Sequence, residues 1–380
     1  MLANMRKREY IDWASLLITI TFLFLCFINH DNYEKAIPYA SLGAFASLGL
    51  LFFNKIPFLS LLKKKDKELW LMIVADGLAL FNLLYVNSGL GAFFTIGNLL
   101  LLLYMADKVE MTEAQMRTFC AIGVFFFLLW TLEIKWDYGS NQTGLVILTM
   151  LILTVLYLDM LKEKYKCFIL FPAQVLAMVF GYVWIVWLRA RCAWVGLLVF
   201  AVLFFVPRGI FKKKGLYKLL LLFSTIGAIL FAAAYIVMSG LGVDFYMPFM
   251  YKRFLSGREL IWFELAGAYL RNSLTGIGSS YEMKVYYMEG GLEVHNGLLD
   301  ILIIHGTVCF CLVIYFLWRR LRGIREVASQ NKLAKTAMAG IFSMLVASFF
   351  ENYFIVAPYS MIFFYLFLII NWKRGTMNNE

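Results

Sequence analysis

Twelve apolar stretches, most of them about 17–22 residues long, follow one another along the chain with short polar connections between them. They lie near 11–28, 37–53, 69–87, 90–106, 117–134, 144–160, 167–187, 192–207, 216–238, 296–317, 336–353 and 358–372. At 1.5 Å per residue, a helix of such length crosses a hydrocarbon layer about 30 Å thick. A helix also satisfies its own backbone hydrogen bonds where there is no water. The pattern therefore predicts an all-α polytopic membrane protein with about twelve transmembrane helices, forming a single membrane domain over 1–380. With 62% hydrophobic residues, the chain is well beyond the composition of a soluble domain.

The net charge of +11 suggests nucleic acid until the charges are located. They sit in short loops between apolar stretches, and no soluble basic domain exists to hold a nucleic acid. If the N-terminus is cytoplasmic, alternation puts 26 of the 35 Lys and Arg residues inside and 9 outside. That bias predicts both termini in the cytoplasm and an even number of spans. The apolar stretch after Met5-Arg6-Lys7-Arg8 is too long for a signal peptide and lacks a cleavage pattern, so it is expected to remain as the first span. Six cysteines fall within or at the ends of apolar stretches and make no CxxC pair. They read as small membrane hydrophobes, neither a disulfide framework nor a metal site.

The same alternation leaves 239–295 as the one long external loop. Ser256-Gly257-Arg258-Glu259 fits a capping box, predicting a helix over about 257–271. Its Trp262, Phe263, Leu265 and Tyr269 predict that it lies on the membrane surface or against the mouth of the bundle. Asn272-Ser273 and Thr275-Gly276-Ile277-Gly278 end it, and a weaker helix is expected near 281–288. Asn296 is a plausible cap for the next span.

Arg189, Arg191, Arg253, Arg258 and Arg271 gather fixed positive charge on the side where it is scarce. One reading is an anionic headgroup such as a diphosphate, which guanidinium groups grip in a fork. The other is pairing with Glu259, Glu264, Glu282 or Glu293, or snorkelling to lipid phosphates. For the cluster as a whole, the first is favoured. His295 stands at the loop–helix junction, either as a plain helix-end residue or as a proton acceptor. His30 and His305 read as structural. Asp76, Asp159 and Glu351 lie in apolar stretches and invite a proton-relay reading that nothing else in the sequence supports. Asn141-Gln142-Thr143 is either a glycosylation sequon or a polar lip above the sixth span. There is no G-x-x-x-x-G-K, H-E-x-x-H, G-x-S-x-G or D-x-D, so neither a nucleotide site nor an acidic metal site is predicted.

Several of these motifs, in this order, resemble the O-antigen ligase and Wzy polymerase superfamily of bacterial surface-polysaccharide enzymes. Ser256-Gly257-Arg258-Glu259 with Trp262 is similar to its S-G-R-x-x-x-W, and Thr275-Gly276-Ile277-Gly278 to the G-x-G turn that follows. His295-Asn296, leading into an apolar helix with Gly306, is similar to its H-N motif. Ala190-Arg191-Cys192-Ala193 is similar to its S-R-small motif, and Asn141-x-x-Gly144 to an N-x-x-G ahead of a span. Alanine stands at 190 where the family has serine. Both Arg189 and Arg191 thus stay open for the phosphate role, Arg191 being the better match.

The resemblance implies a GT-C-like membrane glycosyltransferase of the bacterial cytoplasmic membrane. Its substrate would be an undecaprenyl-diphosphate-linked oligosaccharide, with no cofactor and no sugar nucleotide. It implies His295 as general base, Arg191 and Arg258 on the diphosphate, and Arg253, Arg271, Arg189 and Trp262 as further substrate contacts. The favoured activity is polymerisation of O-antigen or capsule repeat units. Ligation of glycan to another acceptor is the alternative within the family. A lipid-linked oligosaccharide flippase is the alternative of a different class, and a non-enzymatic scaffold is a third reading. Besides the bilayer, the partners implied are a chain-length regulator and a flippase of the same pathway, with no nucleic acid.

Overall fold

The computed structural model describes residues 2–28, 33–86, 88–132, 140–247, 252–284 and 292–378. His30 lies outside them. The first half of the chain forms α1 (Leu2–Phe27), α2 (Tyr33–Lys55), the short α3 (Phe58–Lys63), α4 (Lys67–Tyr85), α5 (Leu90–Met105), α6 (Glu113–Leu132) and α7 (Ser140–Tyr165). It continues through α8 (Leu170–Trp187), α9 (Arg191–Phe205), α10 (Lys214–Ser224) and α11 (Ile226–Gly240). The two-residue strands β1 (Tyr246–Met247) and β2 (Lys252–Arg253) pair antiparallel ahead of α12 (Arg258–Arg271). Three helices close the chain: α13 (Gly297–Gln330), α14 (Lys332–Ala347) and α15 (Ala357–Asn378).

Each of the twelve apolar stretches coincides with a helix or, for 216–238, with the pair α10 and α11. Seven helices are long and apolar enough to cross a membrane, and α10 with α11 makes an eighth if the bent pair is one span. The protein is membrane-embedded and helical. The pair bends by 50° at Thr225, whose hydroxyl donates to the Leu221 carbonyl and accepts from Trp318 Nε1 at 2.9 Å. α5 and α9 are shorter apolar helices. α14 runs through the centre, buried from Leu333 to Ala347, against α7, α9, α13 and α15. Small residues let it sit there. A side chain at Gly196 of α9 would meet Leu148 and Ala347, and one at Gly340 would meet Ile152 and Leu366.

Side chains sort the connections into two ends. At one end Arg320 pairs with Glu68 at 2.8 Å and with Asp107, Lys108 pairs with Glu68 at 2.6 Å, and Lys373 pairs with Glu163 at 2.5 Å. Arg208 Nη1 donates to the Gln330 carbonyl at 2.6 Å at that same end. At the other end Asn141, Arg258, His295 and Asn296 meet the α14–α15 connection, and Arg191 meets the Phe254 carbonyl.

Two boundaries differ from expectation, and both matter for the site. α14 ends at Ala347, so Glu351 lies in the connection to α15, outside the helices. α13 runs for 34 residues and is interrupted at Gly306 (φ 80°, ψ 173°). The loop after α12 fills that interruption. Ile277 N donates to the Ile303 carbonyl at 2.9 Å, Gly278 N to the Ile304 carbonyl at 3.2 Å, and Thr307 N to the Ser273 carbonyl at 2.8 Å. The two backbones touch so closely that a Cβ on Gly276 would lie 2.3 Å from the Ile304 carbonyl oxygen, and one on Gly306 2.3 Å from that of Leu274. Asn82 Nδ2 donates to the Thr275 carbonyl at 2.8 Å and ties the same loop to α4. The expected helix near 281–288 does not form over 281–284, and the remainder lies outside the described residues.

Gly276→Ala should therefore unseat the loop from α13. Its positive φ and the backbone contact together predict a loss of about 3 kcal/mol, read as a lower unfolding midpoint in detergent. Gly77→Ala, inside α4 with open space around it, should be neutral or slightly stabilising. Equal midpoints for the two variants would show that the loop is not held in the break.

Candidate functional site

Three segments distant in sequence converge on the Glu351 carboxylate. Arg258 Nη2 pairs with Oε1, Asn141 Nδ2 donates to Oε1 at 2.9 Å, and His295 Nδ1 lies 2.8 Å from Oε2. The Glu351 side chain is 14% exposed, Arg258 10% and His295 22%.

Local chemistry aims each group. The chain enters α12 through Gly257 at φ 88°, a left-handed conformation that a glycine adopts without strain. Only the Glu259 half of the expected capping box forms: its carboxylate accepts from Ser256 N at 3.3 Å and Gly257 N at 3.0 Å. Gly257, not Ser256, is the cap residue. Arg258 thereby becomes the first residue of the helix and points inward.

His295 takes φ 56°, uncommon for a residue with a side chain, and the surrounding bonds enforce it. Trp262 Nε1 donates to the Val294 carbonyl at 2.7 Å. Asn296 caps α13 by accepting from Leu299 N at 3.1 Å, while its Nδ2 donates to the Ala228 carbonyl at 3.1 Å. Asn296 N donates to Asn352 Oδ1 at 3.0 Å, Asn352 Nδ2 to Asp300 at 2.9 Å, and Gly297 N to the Ser348 carbonyl at 3.0 Å. The histidine turn and the Glu351 connection are thus stitched together on both sides of the His295–Glu351 contact.

Arg191 enters from α9. It is buried, and its Nη1 donates to the Phe254 carbonyl at 2.9 Å, four residues before Arg258. The Tyr235 hydroxyl donates to the same carbonyl. Both arginines act electrostatically on that phenol, and Glu351 and Arg258 both act on the thiol of Cys192, next to Arg191. The fit of α7 depends on Gly144, where a Cβ would lie 2.3 Å from that of Ala190. Asn141, one turn earlier, reaches Glu351 because of that approach.

The other expected residues fall elsewhere. Arg189 is exposed with φ 56°, leaving Arg191 as the buried member of the pair. Arg271 is exposed at the far end of α12, about 20 Å from Arg258 along the helix. Arg253 lies in β2 opposite Tyr246, and its side chain is outside the described ones. Trp262 is 1% exposed and donates to the Val294 carbonyl, so it positions the histidine turn. Glu351 and Asn141 were not among the expected site residues. Glu351 is marked in the sequence as a carboxylate in an apolar stretch, and Asn141 by its place in N-x-T and N-x-x-G. His305 is buried beside the break in α13. Among the described residues, no three His, Cys, Asp or Glu side chains are grouped to hold a metal ion.

Burial pushes the Glu351 carboxyl up. The Arg258 guanidinium and the His295 hydrogen bond outweigh burial and hold it below its ordinary value. As a carboxylate it can accept a hydrogen bond from Nδ1–H of His295, and the other ring nitrogen, Nε2, lies 3.6 Å from Glu293 Oε2.

Comparison of the chain with protein-family models, curated proteins and solved structures finds no match.

A depressed carboxylate pKa stabilises the fold above the ordinary value of 4.5 and loses that contribution as pH falls through the folded value. Glu351→Gln leaves Arg258 buried without its counter-charge, at a cost of about 3 kcal/mol near neutral pH. Unfolding midpoints of the two proteins should therefore differ most near neutral pH and converge on acidification below 4.5. A gap that persists or widens in acid would mean that Glu351 is not held ionised by Arg258.

Proposed function

We propose that this protein is a GT-C-like glycosyltransferase of the bacterial cytoplasmic membrane. In this reading it polymerises lipid-diphosphate-linked oligosaccharide repeat units at the outer face, as the O-antigen ligase and Wzy polymerase superfamily does. The observation that carries the reading is the convergence of Arg258, His295 and Asn141 on Glu351, with Arg191 on the adjoining Phe254 carbonyl. Twelve spans with both termini in the cytoplasm are part of the proposal. They put this cluster at the external mouth, where an undecaprenyl-diphosphate-linked substrate presents its headgroup.

The chemistry follows from the groups. Glu351 accepts a hydrogen bond from Nδ1–H of His295 and fixes the ring, with the proton staying on Nδ1. Nε2 then takes the proton from an acceptor sugar hydroxyl as its oxygen attacks the anomeric carbon of the donor. The bond from that carbon to the diphosphate oxygen breaks, and the lipid diphosphate leaves with the electron pair. Its added charge needs a positive environment that is already in place, which Arg191 and Arg258 supply. Glu351 then balances the imidazolium until the proton passes to water. The free energy of the sugar–diphosphate bond drives transfer, so no nucleotide is required.

Replacing His295 with alanine should lower polymerisation of purified lipid-linked repeat units by about 10²–10⁴-fold. In cells, long chains should vanish while single repeat units are still made and exported. Wild-type polymer in that variant would remove His295 from the mechanism. Repeat units trapped on the cytoplasmic face would favour a flippase. Long chains that form but never reach a second acceptor would favour a ligase.

A further inference from the structure

A second polar cluster lies at the opposite end of α9, about 20 Å from Arg191 along the helix, and the transferase reading makes no use of it. Lys162 at the end of α7 and Lys332 and Lys335 at the start of α14 point toward three aromatic rings, Phe168, Phe171 and Phe204. Lys162 Nζ is 5.0 Å from the centre of Phe171, and Lys332 Nζ is 5.8 Å from Phe171 and 5.7 Å from Phe204. Lys335 Nζ is 5.6 Å from Phe204 and donates to the Phe204 and Val206 carbonyls. Lys162 and Lys332 repel each other, as do Arg208 and Lys335.

One carboxylate serves this group. Asp159 is 2% exposed, lies 2.9 Å from Lys332 and accepts from the Thr336 hydroxyl at 2.7 Å. The neighbouring Glu163 is committed to Lys373 at 2.5 Å. Four cations around one carboxylate leave net positive charge at the edge of the bilayer.

An apolar groove runs up from the same place. Val175, Met178 and Tyr182 of α8 and Leu197, Ala201 and Phe205 of α9 line a cavity of about 410 Å³. Val175 is one helical turn above Phe171, and the Phe205 ring contacts that of Phe204 at 5.2 Å. A cationic end and an apolar channel leading away from it match the two parts of an anionic phospholipid. Basic pockets between helices at the cytoplasmic face bind such headgroups.

We propose that the Lys162–Lys332–Lys335 cluster and the α8–α9 groove together form a binding site for one anionic phospholipid. The phosphate sits among the ammonium groups and an acyl chain lies in the groove. The lysines supply charge and the rings Phe171 and Phe204 confine it. The site stands whether or not the protein is a transferase.

Native mass spectrometry of the full chain in neutral detergent, equilibrated with equal amounts of dioleoyl phosphatidylglycerol and dioleoyl phosphatidylcholine, tests this. One phosphatidylglycerol should be retained with about tenfold preference. Lys162→Gln should reduce the preference severalfold. Ala201→Trp, which fills the groove, should lower retention of both lipids and leave their ratio unchanged. Millimolar inorganic phosphate should not displace the lipid. Equal retention of the two lipids by the unaltered protein overturns the proposal without any variant. Displacement by phosphate overturns it too, because the site would then belong to a soluble anion. Unchanged retention in a folded Ala201→Trp protein removes the groove from it.

Discussion

A peptide group in hydrocarbon has no water to turn to, so each N–H and C=O must find a partner within the chain. That constraint makes helices of the apolar stretches. It also explains where the chain is allowed to depart from a helix. α13 breaks at Gly306, and the carbonyls freed on its N-terminal side receive Ile277 N and Gly278 N from the loop after α12. The loop in turn surrenders the Ser273 carbonyl to Thr307 N. Neither break nor loop is satisfied alone. The external segment is therefore seated in the bundle by backbone pairing, and the position of α12 follows from it.

With α12 seated, charge decides the rest. Arg258 is brought to a place where water is scarce, and a guanidinium does not give up its proton. A carboxylate must meet it, and Glu351 does, from a connection that the Asn352 and Ser348 bonds tie to the histidine turn. The same bonds hold His295 at positive φ. Strain at the histidine and charge balance at the glutamate are thus one arrangement, built on the cap of α13.

The apolar stretches were plain in the sequence because their period and length depend on local composition alone. The helix ends were less so. α14 stops at Ala347 although Phe349 and Phe350 continue the apolar pattern, because Ser348, Asn352 and the turn they form answer to Asn296 and Gly297, far away in the chain. Arg258 and His295 were legible because the Ser256–Glu259 box and Asn296 beside them mark helix starts, although the box forms only in its Glu259 half. Glu351 carried no such neighbour. Its role depends on partners 56, 93 and 210 residues away, which no local pattern encodes. Trp262 was legible as special but not for its reason: its indole N–H serves a backbone carbonyl.

The shared carboxylate also sets an order of events for the proposed reaction. Arg258 and His295 hold opposite oxygens of Glu351, so an anion that takes Arg258 weakens one side of that balance and leaves the other. A diphosphate arriving at Arg258 supplies the negative charge that Glu351 had been supplying. The carboxylate is then released from the guanidinium while still bonded to His295 Nδ1, and its full charge acts on the imidazole. Asn141, bonded to the same oxygen as Arg258, keeps Glu351 from following the arginine toward the substrate. In the proposed reaction a single side chain thus links the donor-binding arginine to the histidine that serves the acceptor.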